Sequence, residues 1–363
     1  MRRGDRLNPR LEPESRHRKV RRGTSHFPHM GTIRWGMIGC GDVTEIKSGP
    51  GFQKANHSTL VAVMRRNGML AKDYAQRHGV ARWYDDAAKL IDDPQVEVVY
   101  IATPPSSHQQ YTLMAAKAGK PVYVEKPMAL NFAECQEMMA ACKTAGIPLF
   151  VAYYRRALPR FLKIKELVDS GAIGQVRFVS VTLYEPASKA NLNAAAPAWR
   201  VVPEISGGGL FVDLASHMLD FLDYVFGPIA SVQGCAANQD GRYEAEDIVT
   251  ASFQFESGVH GIGAWCFTAS DKRDVTRIVG SGGEISFSTF DTRPILLKTT
   301  ETVTEFPVTN PQHIEQPLIQ TIVDELRGFG VCPSTGDTAA RTSRVMDLML
   351  SRSGKQPFLS TLS

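Results

Sequence analysis

The sequence predicts an α/β protein with a parallel sheet in its first half. Two observations support this prediction: short apolar runs alternate with helical segments from Thr32 onward, and a glycine pair directly follows the first run. Strands and helices in alternation build a parallel sheet with right-handed crossovers. The runs are short enough to be strands that are buried on both faces. They cover residues 33–38, 60–64, 96–102, 121–124 and 147–152.

Helices are predicted between these strands, in three segments that contain no proline or glycine. The segments are residues 69–78, 108–118 and 132–145. The last has the clearest end signals, with Asn131 as an N-cap, Glu134 three residues further on, and Gly146 just past its end. No internal repeat is visible in the sequence.

The composition is that of a soluble globular protein. The 363 residues suffice for two domains, and 43% of them are hydrophobic and 21% charged. No stretch approaches the roughly 18 apolar residues of a membrane-spanning helix. The six cysteines are scattered without a CxxC pair, so we expect free thiols in a reducing compartment, no metal site and a cytoplasmic protein.

Positive charge is concentrated at the amino end. Residues 1–30 hold nine of the 41 Lys and Arg residues but three of the 37 acids, which leaves the rest of the chain near neutrality. Nothing in that remainder predicts a nucleic-acid-binding surface. Residues 1–30 also lack the apolar core of a secretory signal. We expect a disordered basic extension, which translation from upstream of a start at Met30 would explain; an Arg-rich presequence is the alternative.

The first predicted strand leads into a glycine-rich loop, GCGDVT at residues 39–44. Gly39 and Gly41 would allow a tight turn and let a pyrophosphate approach the backbone at a helix N-terminus. Thr44 stands where the usual dinucleotide fingerprint has a third Gly or Ala. A GxG alone is also an ordinary turn, but its place after the first strand of a βαβ series favours a Rossmann dinucleotide-binding domain.

The end of the second strand bears on the choice of cofactor. An NAD-preferring site usually places an acid there to bind the ribose 2′-hydroxyl. This chain has Arg65 and Arg66 instead, which would bind a 2′-phosphate. The sequence therefore favours NADP(H), with NAD(H) as the alternative, although both arginines also fit a solvated surface.

Further motifs resemble a known family. TPPSSH occupies residues 103–108 after the strand 96–102, and Glu-Lys-Pro occupies residues 125–127 after the strand 121–124. With the glycine loop, they resemble the glucose–fructose oxidoreductase and inositol dehydrogenase family, Gfo/Idh/MocA. The resemblance covers about residues 32–351 and continues through Arg155-Arg156, Trp199-Arg200, the glycines 207–209, Asp213 and His217, and Gln316-Pro317.

The resemblance implies two domains. A Rossmann domain over residues 31–150 would precede an α/β domain over residues 151–363, which binds substrate through a large, mostly antiparallel, open-faced sheet. The open face implies a homodimer or homotetramer. The residues support a second sheet, because 247–256 alternates strictly between apolar and polar side chains. Further strand-like runs occupy residues 176–183, 259–267, 275–280, 284–287 and 295–298.

Hydride transfer to or from a carbinol carbon also moves a proton at the oxygen. Lys126 follows a strand at the edge where ligands bind in such sheets, and burial there would depress its pKa. Asp213 and His217 are four residues apart in a predicted helix over 209–224, which points them the same way. The resemblance assigns Lys126, Asp213 and His217 as the proton-handling, catalytic set. Which of Lys126 and His217 is the immediate acid or base stays open.

The resemblance also implies the binding residues. One of them, Trp199, fits packing at the domain boundary as well as it fits contact with the cofactor. The substrate is expected to contact Lys126, Arg155, Asp213 and His217. The cofactor is expected to contact Gly39, Gly41, Asp42, Val43, Arg65, Arg66, Thr103, Pro104, His108, Glu125, Lys126, Trp199 and Arg200.

Three functions are compatible with these residues. The favoured one is a dehydrogenase or reductase that acts on a CH–OH group of a sugar, cyclitol or related polyol. Some relatives are glycosidases that recycle a bound NAD, and net reduction of the cofactor would count against that reading. Others are dinucleotide-sensing proteins without catalysis. The joint presence of Lys126, Asp213 and His217 argues against a sensor, which needs none of them.

Overall fold

The protein contains two sheets, each covered by helices. A computed structural model describes residues 31–188 and 198–350. The basic extension predicted over residues 1–30 lies outside the described residues. None of the described helices is long and apolar enough to span a membrane. All six cysteines are free thiols, and the described residues contain no cluster of acids, His and Cys able to hold a metal.

The first sheet is parallel throughout and confirms the predicted Rossmann fold. Its strands are β1 (Ile33–Ile38), β2 (Ser58–Met64), β3 (Arg82–Tyr84), β4 (Val98–Ile101), β5 (Val122–Val124) and β6 (Leu149–Val151). They lie in the order β3-β2-β1-β4-β5-β6. The order reverses between β1 and β4, and ligands bind at such a switch point, beyond the carboxyl ends of the strands.

The helices of the first half are α1 (Gly49–Lys54), α2 (Gly68–His78), α3 (Ala87–Asp92), α4 (His108–Lys117) and α5 (Phe132–Thr144). The helices α2, α4 and α5 match the predicted segments within a few residues, whereas α1 and α3 were not predicted. The Asn131 side chain accepts the Glu134 N–H at 3.0 Å, as expected of an N-cap. Gly146 has φ +68°, the left-handed conformation that ends a helix.

The second sheet has eight strands and is mostly antiparallel, with β7 and β10 as its parallel pair. Its order is β14-β13-β12-β11-β7-β10-β9-β8. The strands are β7 (Val176–Tyr184), β8 (Ile229–Ala237), β9 (Ile248–Phe255), β10 (His260–Cys266), β11 (Arg273–Gly280), β12 (Gly283–Phe287), β13 (Ile295–Thr299) and β14 (Val303–Phe306).

Within residues 31–188 and 198–350, helices cover one face of the second sheet and leave the other face open. Phe221 of α8 (Ser216–Phe226) packs between Phe161 of α6 (Pro159–Asp169) and Phe287 of β12, with ring centroids 4.9 and 5.8 Å apart. On β9 the predicted alternation is confirmed: Val249, Phe253 and Phe255 are buried, while Thr250, Ser252 and Gln254 are exposed.

The remaining helices connect the two sheets. They are α7 (Pro203–Ser206), α9 (Gln316–Leu326) and α10 (Gly336–Met349). In the last part of the chain, α9 packs on α1 and α10 packs on α5 and α8. The helix predicted over 209–224 has two parts, because a wide π-type turn at Phe211–Ala215 precedes α8.

Candidate active site

A crevice of about 860 Å³ lies at the carboxyl ends of the first-sheet strands. It sits at the switch point between β1 and β4, where a dinucleotide site was predicted. Eight of the residues predicted to bind the cofactor line it: Gly39, Gly41, Asp42, Arg65, Arg66, Thr103, Pro104 and Trp199.

The glycine loop fits a dinucleotide. Gly39 has φ +95°, and a Cβ there would lie 2.8 Å from the Ala102 backbone, so only glycine fits this turn. A Cβ at Gly41 would meet no neighbour nearer than 3.9 Å and would project into the crevice. That cradle lets a phosphate approach the main chain, as a pyrophosphate does in this class of sheet.

Thr44 departs from the fingerprint, and the structure accommodates it. Its side chain is fully buried, and its hydroxyl donates a 2.7 Å hydrogen bond to the Gly41 carbonyl. The Tyr74 hydroxyl donates to the Thr44 carbonyl at 2.9 Å. The backbone forms a wide turn at Thr44–Ser48 before α1 begins. Thr44 therefore stands in place of the third small residue of the fingerprint, and its hydroxyl bonds the glycine loop to the beginning of the helical segment.

Arg65 and Arg66 lie on the crevice wall at the end of β2. Neither forms an ion pair with a described residue, and one Arg65 Nη lies 3.5 Å from the Cys40 carbonyl oxygen. The neighbouring Asn67 also lines the crevice, but its side chain caps α2 by accepting the Met69 and Leu70 N–H groups. The two guanidinium groups are thus the charged groups available at this end of the site.

A second cavity of about 310 Å³ adjoins the crevice through Gly41, Thr103 and Trp199. It brings together the residues predicted to handle protons and substrate, which come from both halves of the chain. The predicted residues that line it, besides those shared with the crevice, are Val43, Glu125, Lys126, Arg155, Arg200, Asp213 and His217.

Lys126 and Asp213 form an ion pair on the wall of this cavity. Lys126 Nζ donates to Asp213 Oδ1 at 2.5 Å and to the Asp213 carbonyl at 2.9 Å. Arg200 Nε lies 3.3 Å from Asp213 Oδ2. Burial opposes ionisation of Asp213, but the Lys126 and Arg200 cations outweigh it and lower the pKa of the carboxyl below its usual value. Asp213 is therefore a carboxylate that orients the Lys126 ammonium.

His217 is buried opposite this pair. Its ring lies edge-on to Tyr154, Tyr153 and Phe290, with centroids 5.2, 6.1 and 6.1 Å away. Its Nδ1 has no hydrogen-bond partner among the described residues. Burial, and then the Arg155 cation, hold the pKa of His217 well below its usual value. The imidazole is consequently neutral at pH 7, with a free ring nitrogen.

His108 is the predicted cofactor contact that lines neither cavity. Its side chain is fully buried, with Nδ1 3.0 Å from the Pro127 carbonyl oxygen and Nε2 2.7 Å from that of Thr103. Those bonds join the loop after β4 to the loop after β5. The position of His108 supports a structural role for this residue rather than direct contact with the cofactor.

Sequence reasoning missed two charged residues of the second cavity, Lys47 and Glu315. Glu315 is buried and accepts a 3.1 Å hydrogen bond from the Tyr123 hydroxyl, while the Tyr100 hydroxyl donates to Glu125 at 2.7 Å. Burial, and then the nearby Glu125 carboxylate, raise the pKa of Glu315 well above its usual value. A signal was present, because Glu315 directly precedes the Gln316-Pro317 pair that contributed to the resemblance.

A dinucleotide cradle that opens into a cavity with an oriented ammonium and a neutral imidazole defines a class of protein, the Rossmann-fold oxidoreductases. A family model described as an oxidoreductase family with an NAD-binding Rossmann fold matches residues 33–153. A second, for the GFO/IDH/MocA C-terminal domain, matches residues 161–286.

Individual proteins agree with these matches. Oxidoreductase P35 of Formosa agariphila is 41% identical over 87% of this chain and 98% of its own length. Trans-1,2-dihydrobenzene-1,2-diol dehydrogenase of Oryctolagus cuniculus is 32% identical over 68% of this chain and 71% of its own. A crystal structure of the aldose-aldose oxidoreductase of Caulobacter crescentus, complexed with glycerol, superposes with a TM-score of 0.77 at 25% identity, over 88% of this chain and 96% of that one. The chain belongs to the Gfo/Idh/MocA family of NAD-binding oxidoreductases.

Proposed function

We propose that this enzyme transfers a hydride between NADP(H) and a CH–OH or carbonyl carbon of a sugar, cyclitol or related polyol. The observation that carries the proposal is the pairing of Lys126 with Asp213 beside the neutral His217. This group lies on the wall of a cavity continuous with the glycine-loop crevice. The relatives named above are oxidoreductases and a diol dehydrogenase, which supports an alcohol substrate.

The residues divide the proton chemistry between them. When bound, the nicotinamide accepts or supplies the hydride. The Lys126 ammonium, held by Asp213, donates a hydrogen bond to the reacting oxygen in both directions. His217 holds a lone pair at pH 7, so it accepts the hydroxyl proton during oxidation and returns a proton to the carbonyl oxygen during reduction. The buried walls around His217 exclude water from that exchange.

Two alternatives predict different outcomes. A glycosidase that recycles its cofactor would release no net reduced dinucleotide from an alcohol substrate. A dinucleotide sensor would show no turnover and no need of the Lys126–Asp213 pair. The site favours neither, since the ion pair and the neutral imidazole are both arranged around an open cavity.

Kinetics of single and double variants test the proposal. Lys126→Met and His217→Asn should each lower kcat by a factor of about a hundred to ten thousand, the usual size of acid–base assistance. If the two act as one relay, the double variant should be little worse than the poorer single one. Lys117→Met, at an exposed lysine on α4, is the control and should retain full turnover. Near-normal kcat in Lys126→Met, with unchanged nucleotide affinity, would overturn the assignment.

Preference for NADP(H) is proposed from the two arginines at the end of β2. Arg65 and Arg66 line the crevice without an ion-pair partner among the described residues. Arg65→Ala should remove most of the difference between NADPH and NADH binding, about ten- to a hundredfold for one charge-assisted contact of roughly 1.5–3 kcal/mol. Calorimetry measures both affinities. Arg344→Ala removes an exposed charge of α10 as the control. Equal affinities of the unaltered protein for both dinucleotides would refute the preference.

Association through the open face of the second sheet is also proposed. That face spans β9 and β10 and exposes Ile262 together with Thr250, Ser252 and Gln254. Paired faces from two chains would cover it and give a homodimer, from which a homotetramer can form.

A further inference from the structure

Arg155 is a buried cation without an acidic partner. Its exposed fraction is 5%, and it lines the second cavity. Two of its nitrogens, Nε and Nη2, donate to the Thr289 carbonyl at 3.4 and 3.2 Å, and Nη1 has no hydrogen-bond partner among the described residues. The adjacent Arg156 is equally buried, but its guanidinium makes two 2.8 Å bonds to the Asp220 carboxylate. The two neighbouring arginines therefore differ in that one is neutralised and the other is not.

Aromatic rings hold the Arg155 guanidinium in place. Its central carbon lies 4.8 Å from the Phe290 ring centroid, 5.0 Å from that of Tyr154 and 5.5 Å from that of Phe161. Contacts of this kind stabilise a cation by less than the desolvation of an ion costs. The rings fix the orientation of Arg155 and leave its charge uncompensated.

The other charged groups of the cavity compensate one another. Asp213 lies between the cations of Lys126 and Arg200. Lys47 faces the Glu125–Glu315 pair, and burial together with the Glu125 carboxylate raises the pKa of Glu315 well above its usual value, which favours a single negative charge on the pair. Asp42 is exposed at the mouth. With His217 neutral, the four cations of the cavity exceed its three negative charges by one. The cations are Lys47, Lys126, Arg155 and Arg200, and the negative charges lie on Asp42, Asp213 and the Glu125–Glu315 pair. Arg155 is the cation that contacts no acid among the described residues.

Arg155 lies next to the proposed reaction centre. It shares the Tyr154 and Phe290 rings with His217, and its charge contributes to the low pKa of that imidazole. Arg155, Lys126 and His217 line the same 310 Å³ cavity, so a ligand that fills it would contact the Arg155 side chain as well as Lys126 and His217.

We propose that the substrate is an acidic sugar whose carboxylate binds Arg155. A carboxylate would satisfy the free guanidinium hydrogens and neutralise the excess charge. The oxidised or reduced carbon of the same molecule would lie at Lys126 and His217. This inference rests on the proposed function and narrows its substrate from polyols in general to sugars that carry a carboxylate.

Matched substrate pairs test the inference on the unaltered enzyme. D-Glucuronate against D-glucose, and D-galacturonate against D-galactose, differ in a carboxylate replacing a CH₂OH group. With NADP⁺, kcat/KM should be at least about tenfold higher for each uronate, the effect of one charge-assisted hydrogen bond. Equal or better use of the neutral sugars would overturn the inference and leave the proposed function standing. Better use of glucose 6-phosphate than of either uronate would assign the site to phosphate and overturn the carboxylate.

Binding measurements separate failure of the inference from failure of the proposed function. Calorimetry on the NADP⁺ complex uses the same two pairs and requires no turnover. Uronate binding without oxidation would support the carboxylate site and contradict the proposed chemistry. Equal affinity for acid and neutral sugar would contradict the carboxylate site.

Variants assign the preference to one side chain. Arg155→Met should lower the ratio of kcat/KM for each uronate to that for its neutral partner by about ten- to a hundredfold, a ratio in which an effect of the lost charge on His217 cancels, while Arg155→Lys should recover part of that ratio. Arg160→Met is the matched control, because Arg160 is also buried but does not line the cavity. Nucleotide affinity confirms that each variant is folded. A preference that survives in folded Arg155→Met, or that Arg160→Met abolishes equally, would overturn the assignment.

Discussion

Lys126 and His217 are assigned different protonation states by their surroundings. Lys126 donates to both the carboxylate and the carbonyl of Asp213, which is how an ammonium bonds. His217 has aromatic neighbours and cations nearby, so its neutral form is favoured. Sequence reasoning left the immediate acid or base open, and spacing alone could not decide it. The proposed division of roles rests on burial and on contacts from distant parts of the chain.

The buried neutral His217 should make stability depend on pH. In the unfolded chain a histidine titrates near 6.5, whereas the pKa of His217 in the folded protein lies well below that value. Below pH 6.5 the unfolded state therefore binds a proton that the folded state does not, and the free energy of unfolding falls as the pH is lowered. The slope from this group is at most about 1.4 kcal/mol per pH unit.

Urea unfolding between pH 7.5 and about 5 measures this effect. The slope of stability against pH should be smaller in His217→Asn than in the unaltered protein. His57→Asn, at an exposed position whose φ of 58° asparagine tolerates, is the control and should keep the original slope. An identical slope in His217→Asn would show that the imidazole is not held neutral by the fold.

At the scale of elements, strands buried on both faces were predictable and exposed strands were not. The runs at β1, β4 and β5 are apolar because helices cover both sides of that sheet. The missed strands are β3, β8 and β14, and none of them contains a buried residue. The wide turn at Phe211–Ala215 was also missed, since its sequence has the apolar period of an ordinary helix.

The site was predictable where it follows strand ends. Gly39, Thr103 and Lys126 come after β1, β4 and β5, and a parallel sheet places those ends along one edge. Glu315 lies 192 residues from its partner Tyr123, and no local pattern reports such a contact. His108 was expected at the cofactor because of its motif, and its buried bonds to two carbonyls become visible only when the loops are folded.

A buried ion cluster joins the turn Tyr154–Ala157 to α8 and α10. Arg156 bonds Asp220 twice at 2.8 Å and Asp223 at 3.0 Å, and Arg341 of α10 reaches Asp223 at 2.6 Å. Burial raises the pKa of Asp220 to about 6 in spite of the Arg156 charge. The carboxylates are therefore costly to bury and depend on their arginine.

Arg156→Met should lower the free energy of unfolding by about 3–5 kcal/mol, because it leaves the buried Asp220 carboxyl without its ion-pair partner and Asp223 with Arg341 alone. Arg341→Met, at a side chain that is 39% exposed, should cost about 1 kcal/mol or less. Urea unfolding at pH 7 compares the two variants with the unaltered protein. Equal losses in both variants would mean that the cluster is not organised around Arg156.

At the scale of the whole molecule, the two sheets perform separate tasks. The first binds the dinucleotide at its carboxyl edge, and the second supplies one covered face to the core. α9 and α10 pack on helices of the first half, so the last part of the chain fixes the two sheets against each other. The proposed catalytic set depends on this arrangement, because Lys126 follows β5 whereas Asp213 and His217 belong to the helical segment over the second sheet. The boundary at residue 150 stays a prediction.

The open face of the second sheet should be the subunit interface. Stable dimers bury about 1,200–2,000 Å² in total, and an eight-stranded sheet with one uncovered face offers an area of that order. Ile262, at 49% exposure, lies on β10 in the middle of that face.

Ile262→Glu would place a charge on each side of a symmetric interface and should shift the protein to a monomer. Leu113→Glu, at a similarly accessible leucine of α4, is the control and should leave association unchanged. Sedimentation equilibrium with and without NADP(H) measures the molar mass, while nucleotide affinity confirms folding. A monomeric unaltered protein at micromolar concentration, or a dimer that persists in Ile262→Glu, would place the interface elsewhere or remove it.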